Sequence, residues 1–531
     1  MDDDALTPVA DRARTLFVNG RILGPGLTPV GQAMLVGDSF VLWVGPAADA
    51  RVHRDAAPAV VDLEGRVVTA AFVDAHVHLS ATGAALRGLD LSDARSLHEA
   101  LSRVESAARR AGGRPLLAQN WDETGWPEQR PFTARELDRA SYGGVVYAPR
   151  VDGHSAIVSS ALAAAARLDP TGMPGGRVVT DEHHRARAAF HANVTRDQRR
   201  EDIALALRTA AARGVAHLHE NGGPVVSSVD DAVDVNAVAA DDAMPRVTEL
   251  WAELVSTEAE AGGITRSLRG RRLAGDLNID GSIGSRTARL RAGYTDAPDT
   301  HGEAFLTVDQ VRDHVVACTR TFRQAGFHVI GDAGVDTAIA GFEAAAEVDG
   351  LANVRLARHR LEHVEMIDPD GARRLARLGV TASVQPAFDA RWGGPTGMYA
   401  TRLGADRAHR MNPLRTLLDA GVTLALGSDS PVTPIAPWEA VRACVRHHDE
   451  QERITAAEAF AAHTAGGHQA TGDTAEQGPL RAGGPVDYVV WDDVGGWFDA
   501  GGILREEAME LPPPVATRTV CAGNVIHDTL G

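Results

Sequence analysis

The sequence has few cysteines and no excess of positive charge. Only three cysteines occur in 531 residues, at the widely separated positions Cys318, Cys444 and Cys521. They form no CxxC pair, which argues against a disulfide framework. The 53 basic residues are outnumbered by 71 acidic ones, which gives a net charge of −18 at pH 7. Such a surface repels phosphate backbones and anionic lipid, so we expect no nucleic-acid partner.

Long hydrophobic runs are also missing. No stretch reaches the roughly 18 uninterrupted apolar residues that a membrane span requires. The first residues, MDDDALTPVADRAR, are acidic and lack the basic start and apolar run of a signal peptide. We therefore expect a cytoplasmic protein without a membrane partner. The sequence leaves its oligomeric state open, with a homodimer as one option.

Both ends of the chain carry short strand-like runs separated by Gly and Asp turns, which is typical of hairpin-built sheets. The runs are Leu16–Asn19, Ala33–Val36, Phe40–Val44, Val60–Leu63, Arg66–Thr69, Asp487–Trp491 and Arg518–Val525. This pattern predicts a small composite β-sandwich built from residues 1–67 and 478–531.

The middle of the chain alternates between apolar strand-like runs and segments with helical spacing. The strand-like runs are Val145–Ala148, Val215–Leu218, His328–Ile330, Thr381–Val384 and Val422–Leu426. The helical segments include Arg200–Arg213, Val308–Ala325, Asp368–Leu378 and Ala456–Thr464. Such alternation predicts an α/β fold with a parallel sheet. Polar residues at the strand ends favour a closed (β/α)8 TIM barrel over residues 68–477, with an α+β lobe inserted at about 80–205.

Histidines follow several of these strands. His76 and His78 are separated by one residue, so in a strand they project to the same side. His328, His363 and Asp429 each close a strand-like run, where barrel sites form. Neutral imidazoles are good ligands for borderline cations such as Zn²⁺. Taken alone, the His76–His78 spacing also fits two surface histidines. Only the full set of five candidate ligand residues indicates a metal site.

Further segments carry a resemblance to a known family. They are Asn120-Trp121-Asp122-Glu123, Glu136-Leu137-Asp138, Asp152-Gly153-His154-Ser155, the run Asp280 to Ala288 (DGSIGSRTA) and Ser383-Val384-Gln385-Pro386. With the histidine motifs, the chain resembles the amidohydrolase superfamily, and within it amidohydrolase family 3, the subgroup that includes N-substituted formamide deformylase. The resemblance implies a metal-dependent barrel enzyme with His76, His78, His328, His363 and Asp429 as metal ligands.

The chain departs from that family at one position that matters for the metal. Many relatives carry a lysine four residues before the aspartate of the DGSxGSRTA segment, where a carbamate can bridge two ions. Asp276 stands there in this sequence, and its carboxylate is one candidate replacement. Glu220, in Val215-Ala216-His217-Leu218-His219-Glu220, is the other candidate. The number of ions, one or two, stays open.

Other polar residues have weaker indications. We expect His154, Arg286, His219 and Trp121 to contact substrate, although each also fits a structural role. His359 and Arg360 precede His363, and either could support the metal ligands from behind. The pairs His183-His184 and His447-His448 lie among charged residues and are predicted to be solvated.

The resemblance implies hydrolysis of a C–N bond in a small amide, an N-formyl or N-acyl amine, or a cyclic amide. The metal would lower the pKa of water from 15.7 to about 7, and Asp429 would carry the proton to the leaving amine. Zinc is favoured by the histidine ligands, and iron, manganese and nickel remain options. Two alternatives stay open: a mononuclear deaminase that acts on a heterocycle, and an inactive binding relative.

Overall fold

A computed structural model describes residues 14–37, 40–57, 59–151, 155–169, 172–224, 226–268, 272–472 and 480–530. The chain forms two compact units. One runs to His78 and resumes at Leu207, and the other is Leu79–Ala206, which covers the segment predicted as an inserted lobe. None of the described helices combines the length and the apolar character needed to cross a bilayer.

The strands are short, and most have two to six residues. In chain order they are β1 (Thr15–Val18), β2 (Arg21–Leu23), β3 (Pro29–Gly31), β4 (Ala33–Val36), β5 (Val41–Gly45), β6 (Ala59–Asp62), β7 (Val67–Ala70), β8 (Phe72–Val77), β9 (Leu89–Asp90), β10 (Leu116–Gln119), β11 (Val146–Pro149), β12 (Ser155–Val158), β13 (Arg177–Val179), β14 (Val215–Gly222), β15 (Arg246–Trp251), β16 (Arg272–Leu273), β17 (Gln324–Val329), β18 (Arg360–His363), β19 (Thr381–Val384), β20 (Leu424–Leu426), β21 (Tyr488–Asp492), β22 (Val515–Cys521) and β23 (Asn524–Asp528).

The α-helices fill the connections. They are α1 (Leu79–Arg87), α2 (Leu97–Ala111), α3 (Ala134–Ala140), α4 (Ser160–Ala165), α5 (Thr180–Ala192), α6 (Arg196–Ala212), α7 (Val229–Ala239), α8 (Glu258–Leu268), α9 (Val308–Arg320), α10 (Asp332–Asp349), α11 (Leu351–Leu356), α12 (Pro369–Leu378), α13 (Pro386–Trp392), α14 (Met398–Leu403), α15 (Ala405–Ala408), α16 (Leu414–Asp419), α17 (Pro437–Val445), α18 (Ala456–Ala461) and α19 (Gly467–Ala470). Local sequence sets several of their ends. In α12, the Asp368 side chain caps the first turn, Pro369 occupies the first helical position, and Gly379 ends the helix with a φ of 70°.

The two ends of the chain meet in a pair of sheets. One has the order β5-β4-β1-β6, and the other has the order β23-β22-β21-β7-β2-β3. Their inner side chains share one hydrophobic cluster, to which the first sheet gives Phe17, Met34 and Val36 and the second gives Ile22, Val68, Tyr488, Val490 and Val520. The run predicted as one strand, Arg518–Val525, is instead two antiparallel strands, because the chain turns at Ala522-Gly523, where both residues have positive φ.

Eight parallel strands of the same unit carry the strand-end histidines. They form two sheets, β15-β14-β8 and β16-β17-β18-β19-β20. A bridge between Val77 and Ser430 joins β8 to the end of β20, and His78 N donates to Ser430 O at 2.9 Å. Between β15 and β16 the described residues form no strand ladder, so a closed barrel is not seen.

The second unit has its own mixed sheet, in the order β13-β12-β11-β10-β9. The predicted run Val145–Ala148 belongs here as β11, and its grouping with the strands of the parallel sheets was wrong. It pairs parallel to β10 but antiparallel to β12. Its apolar residues pack in this unit's own cores, Val146 and Ala148 in one and Tyr147 in the other, and short apolar runs carry no mark of which sheet they join.

Candidate metal centre

Five strand ends of the parallel sheets bring six ligand-type side chains together, and we call these six side chains the strand-end cluster. His76 and His78 come from β8 and the residue just after it, His328 from β17 and His363 from the end of β18. Asp276 follows β16, and Asp429 follows β20. Three overlapping groups of three residues place their ligand atoms within 4.8 Å of one another: His76, His78 and Asp276; His76, His363 and Asp429; and Asp276, His328 and His363.

Asp276 lies between two pairs of histidines and turns one oxygen toward each. Its Oδ2 is 3.6 Å from His76 Nε2 and 3.3 Å from His78 Nε2. Its Oδ1 is 3.5 Å from His328 Nδ1 and 3.7 Å from His363 Nε2. A carboxylate with one oxygen facing each of two pairs of nitrogens has the arrangement of a bridging metal ligand.

Asp429 faces the first pair of histidines. Its Oδ1 is 3.4 Å from His76 Nε2 and 3.2 Å from His78 Nε2. The backbone on both sides of the cluster is strained, since φ is 53° at Asp429, 71° at His363 and 50° at the β-branched Val364. Residues held at such values are concentrated at functional sites.

Glycine is required where β20 approaches β8. A Cβ added to Gly427 would lie 2.5 Å from the backbone nitrogen of His76 and 2.9 Å from its Cβ. Asp429 N donates to His76 O at 2.8 Å just beyond this point. The close approach that Gly427 permits therefore sets the separation between Asp429 and His76.

Each histidine of the cluster is held by its second ring nitrogen. His76 Nδ1 lies 2.9 Å from Glu362 Oε2, and His363 Nδ1 lies 2.7 Å from Gln385 Oε1. Two backbone carbonyls hold the others: Asn221 O is 2.9 Å from His78 Nδ1, and Gly281 O is 3.3 Å from His328 Nε2. A proton on each of these nitrogens leaves the lone pair of the other one free to face the cluster.

A buried ion pair supports this arrangement from behind. Arg360 donates from Nε to Glu362 Oε1 at 2.6 Å and from Nη2 to Glu362 Oε2 at 3.0 Å. Both side chains are fully buried. Burial acts to raise the pKa of Glu362, but Arg360 and His76 overcome it and lower that pKa to about 2. His76 is thus held by a carboxylate that stays ionised.

The electrostatics of the cluster favour cations. Burial opposes protonation of His76, yet Asp276 and Asp429 raise its pKa to about 10. Burial likewise acts to raise the pKa of Asp276, but the histidines around it hold that pKa well below the usual value. Two ionised carboxylates in a buried pocket produce a field that binds either protons or a metal ion.

Two atoms of the cluster are buried without a hydrogen-bond partner, His76 Nε2 and Asp276 Oδ1. Unpaired buried polar atoms are costly, and metal ligation would satisfy both. Imidazole nitrogens and carboxylate oxygens match the ligand preferences of zinc and of neighbouring transition metals. The residues present therefore fit a divalent ion.

The DGSIGSRTA segment supports the cluster through hydrogen bonds but contributes no candidate ligand to it. Asp280 accepts hydrogen bonds from the backbone N–H groups of Arg289, Ile330 and Gly331 at 2.8 to 2.9 Å. Arg286, predicted to contact substrate, donates to Asp296 through Nε at 3.0 Å and Nη2 at 2.7 Å. Its guanidinium is already paired with a carboxylate.

The other predicted site residues that the structure describes are not members of the cluster. Glu220 is buried in β14 and belongs to none of the three ligand groups that the described residues form here. His219 is fully buried, with Nδ1 3.1 Å from Arg360 Nη1. Trp121, 2% exposed, donates from its indole to Ala148 O at 3.0 Å. Substrate binding by His219 and Trp121 stays a prediction that this burial does not support, and His154 lies outside the described residues.

Two predictions about other histidines need correction. His183 and His447 are buried, at 5% and 0% exposure, so neither pair is solvated as a whole. The charged residues near them in sequence suggested that these rings are exposed to solvent, but tertiary packing buries them. His359 braces α9 and β17, since its Nε2 lies 2.9 Å from Thr319 Oγ1 and its Nδ1 accepts from Ala325 N at 2.9 Å. Of the two residues expected behind His363, Arg360 is the one that reaches the ligand shell.

The chain is similar to known proteins in sequence and in fold. A sequence model described as the amidohydrolase family, Amidohydro_3, matches residues 59–527. Protein LONG AFTER FAR-RED 3 of Arabidopsis thaliana is 27% identical over 92% of this chain and 90% of its own length. N-substituted formamide deformylase of Arthrobacter pascens is 25% identical over 87% of this chain and 90% of its own length. The crystal structure of an uncharacterized metal-dependent hydrolase from Pyrococcus furiosus is 25% identical, covers 90% of this chain and 98% of its own, and has a TM-score of 0.75.

Proposed function

This chain belongs to the amidohydrolase family, and from that premise we propose that it is a metal-dependent hydrolase that cleaves a C–N bond in a small molecule. The candidate substrates are amides, N-formyl or N-acyl amines and cyclic amides. The observation that carries the proposal is the position of Asp276, whose two oxygens face separate histidine pairs at 3.3 to 3.7 Å.

Two divalent ions fit this arrangement better than one. In the proposal, His76, His78 and Asp429 would hold one ion, His328 and His363 would hold the other, and Asp276 would take the place of a carbamylated lysine between them. Glu220 is the weaker candidate for the bridge, because it shares no ligand group with these residues in the described part of the chain. Zinc is the favoured metal because four of the six side chains are imidazoles, and iron, manganese and nickel accept the same ligands.

Divalent ions in such a site supply Lewis acidity and allow water to react at neutral pH. The chain itself moves the proton. Burial acts to raise the pKa of Asp429, but His76 and His78 lower it below the usual value. Asp429 is therefore ionised when substrate arrives, accepts a proton from the attacking water and returns it to the leaving nitrogen.

The parallel strands support the (β/α)8 barrel as the fold of this enzyme. Their order runs through all eight strands with one bridged seam, between β8 and β20, and one seam without a ladder, between β15 and β16. We propose that the barrel closes at this second seam. The site then stands at the carboxyl ends of the strands, where barrel enzymes place their chemistry.

The experiment is a screen for the amino group that hydrolysis of N-formyl, N-acyl and cyclic amides sets free, with metal content measured on the same samples. Asp429→Asn should lower kcat by about 10²- to 10⁴-fold, the usual contribution of a proton-transfer group. Asp242→Asn, at an exposed turn position, serves as the matched control.

Two outcomes would contradict the proposal. An Asp429→Asn enzyme within about tenfold of the parent would remove Asp429 as the proton carrier, since proton transfer is worth more than that. Release of ammonia from a heterocycle, with no turnover of amides, would favour a deaminase instead.

A further inference from the structure

A second group of ligand-type side chains lies apart from the strand-end cluster and has no part in the proposed reaction. It consists of Asp389 on α13 with His447 and His448, which follow α17. One ligand atom from each lies within 4.8 Å of the other two. We call this group the Asp389 cluster.

Both histidines of the Asp389 cluster face the same carboxylate oxygen. Asp389 Oδ1 is in close hydrogen-bond contact with His448 Nδ1 and lies 3.4 Å from His447 Nε2. Its Oδ2 accepts from the backbone N–H of His448 at 3.0 Å. The carboxylate is therefore held in place and directed at two imidazoles.

Burial makes this arrangement costly without a further partner. His447 is 0% exposed and Asp389 is 4% exposed, while the His448 side chain keeps 15% of its surface accessible. His447 Nε2, the atom that faces Asp389, is buried without a hydrogen-bond partner. A simple Asp–His pair explains one imidazole, but not a second one that is fully buried and aimed at the same oxygen.

The other nitrogen of His447 contacts the backbone of Asp449. Nδ1 lies 3.2 Å from Asp449 O and also faces the backbone N–H of Asp449, which donates to it at 3.1 Å. A ligand role for Nε2 requires the ring proton on Nδ1, on the side of Asp449 O, so that the lone pair of Nε2 faces Asp389. Second contacts of this kind orient histidine ligands in metal sites.

Gly393 packs closely against these ligand atoms and against the backbone of α13, where an added Cβ would lie 2.5 Å from Asp389 O. A Cβ added to Gly393 would lie 2.6 Å from Asp389 Oδ1 and 2.9 Å from His448 Nδ1. Any residue other than glycine would therefore collide with the atoms that face each other.

We propose that the Asp389 cluster is a second metal site, which binds one divalent transition-metal ion of the zinc class through Asp389 Oδ1, His447 Nε2 and His448 Nδ1. Two nitrogens and one oxygen suit such an ion, which takes the place of the proton between His448 Nδ1 and Asp389 Oδ1, and that proton leaves to solvent. The ion cross-links α13 to the segment after α17, so its role is structural.

The cross-link has a consequence for the strand-end cluster. Phe388, the neighbour of Asp389, stacks on the His363 ring with centroids 6.0 Å apart and planes inclined by 13°. Gln385, just before α13, holds His363 Nδ1. An ion that fixes α13 therefore steadies one histidine of the first site from two directions.

The test is a count of zinc per chain by elemental mass spectrometry after the tag-free protein is loaded with zinc and dialysed. His447→Asn keeps an atom near Asp449 but removes Nε2, and it should bind one zinc fewer than the parent. His98→Asn, an exposed histidine on α2, should bind as many as the parent. The test counts a difference of one ion, so it does not depend on whether the first site turns over amides.

Asp389→Asn provides a second variant with almost unchanged shape, and circular dichroism checks that both variants fold. It should also bind one zinc fewer, and His448→Gln should do the same. A folded Asp389→Asn or His447→Asn protein with the same zinc count as the parent would overturn the proposal.

Discussion

At the scale of single residues, the candidate site depends on side chains that hold the ligands rather than on the ligands alone. Every histidine of the strand-end cluster has a contact for its second nitrogen, and two of these contacts are side chains, Glu362 and Gln385. Such contacts fix the ring and its tautomer and raise its basicity. Replacing one of these supporting side chains is therefore the most selective way to weaken metal binding at the site.

Gln385 is the cleaner of the two positions to test. Its Oε1 accepts from His363, while its Nε2 has no hydrogen-bond partner, so replacing the amide breaks one contact only. Gln385→Leu should weaken metal binding by about 10- to 100-fold, the usual cost of losing such a contact. Competition with a coloured chelator measures it, and Gln385→Glu, which keeps an acceptor, is the control. Equal affinity of the Leu variant and the parent would show that this contact does not tune the site.

Metal uptake should release protons. In the metal-free fold, Asp276 and Asp429 raise the pKa of His76 to about 10 against the effect of burial, so the ring is charged at pH 7. Ligation requires the neutral ring, and binding must displace the proton. Affinity should therefore rise as the pH is raised from 6 toward 9. Titration calorimetry in buffers of different ionisation enthalpy counts the protons, and a count of zero at pH 7 would contradict this account.

The sequence named the candidate ligands, whose metal binding stays a prediction, but it did not name the side chains that hold them. His76, His78, His328, His363 and Asp429 all follow strand-like runs, and parallel strands bring their ends together. Glu362 and Gln385 were missed as supports, although Glu362 adjoins a predicted ligand and Gln385 directly follows a strand. His447 was predicted to be solvated from its charged neighbours in sequence, whereas its burial comes from packing against α13, which no local pattern encodes.

At the scale of elements, the site depends on how closely neighbouring strands approach. The seam between β8 and β20 carries His76 on one side and Asp429 on the other, and Gly427 lies at its narrowest point. The distance between these ligands is therefore a property of strand packing.

Gly427→Ala should disturb both stability and the metal site. The added Cβ would meet backbone at 2.5 Å, which cannot move as a flexible side chain would. We expect a loss of about 1–3 kcal/mol in unfolding free energy, as for other overpacked sites, together with weaker metal binding. Gly263→Ala in α8, where an added Cβ meets nothing within 4 Å, is the control and should be neutral or slightly stabilising. Denaturant unfolding measures the unfolding free energy of both variants. Equal stability of the two variants would refute the packing argument.

Element ends could be predicted where capping residues mark them. The predicted helix Asp368–Leu378 matches α12 because Asp, Pro and Gly stand at its boundaries. The predicted helix Val308–Ala325 runs past the end of α9 at Arg320. There the chain turns at Phe322, with φ of 56°, and a phenylalanine at such a turn gives no sequence signal.

At the scale of the whole molecule, alternating strands and helices predicted the parallel sheets, and strand-like ends predicted the terminal sheets. The closure of a barrel is different, because it depends on a seam between strands distant in sequence. The short β16, only Arg272–Leu273, leaves that seam without a ladder in the described residues.

Removal of metal should lower the stability of the unit that holds both the strand-end cluster and the Asp389 cluster. A ligand present at a thousand times its dissociation constant stabilises the folded state by about 4 kcal/mol. Exhaustive chelation should therefore lower the Tm by several degrees, and zinc should restore it. Differential scanning calorimetry on the parent and on His447→Asn separates the two proposed sites, and a Tm that chelation leaves unchanged in both would contradict metal binding in the folded state.

The measurement that tests the central claim most directly is electron paramagnetic resonance of the manganese-loaded His447→Asn protein, in which the Asp389 cluster is disabled. The account predicts the signal of two spin-coupled ions, and Asp276→Ala should abolish the coupling because the bridge is gone. The spectrum of an isolated ion, unchanged by Asp276→Ala, would contradict a two-metal site bridged by Asp276.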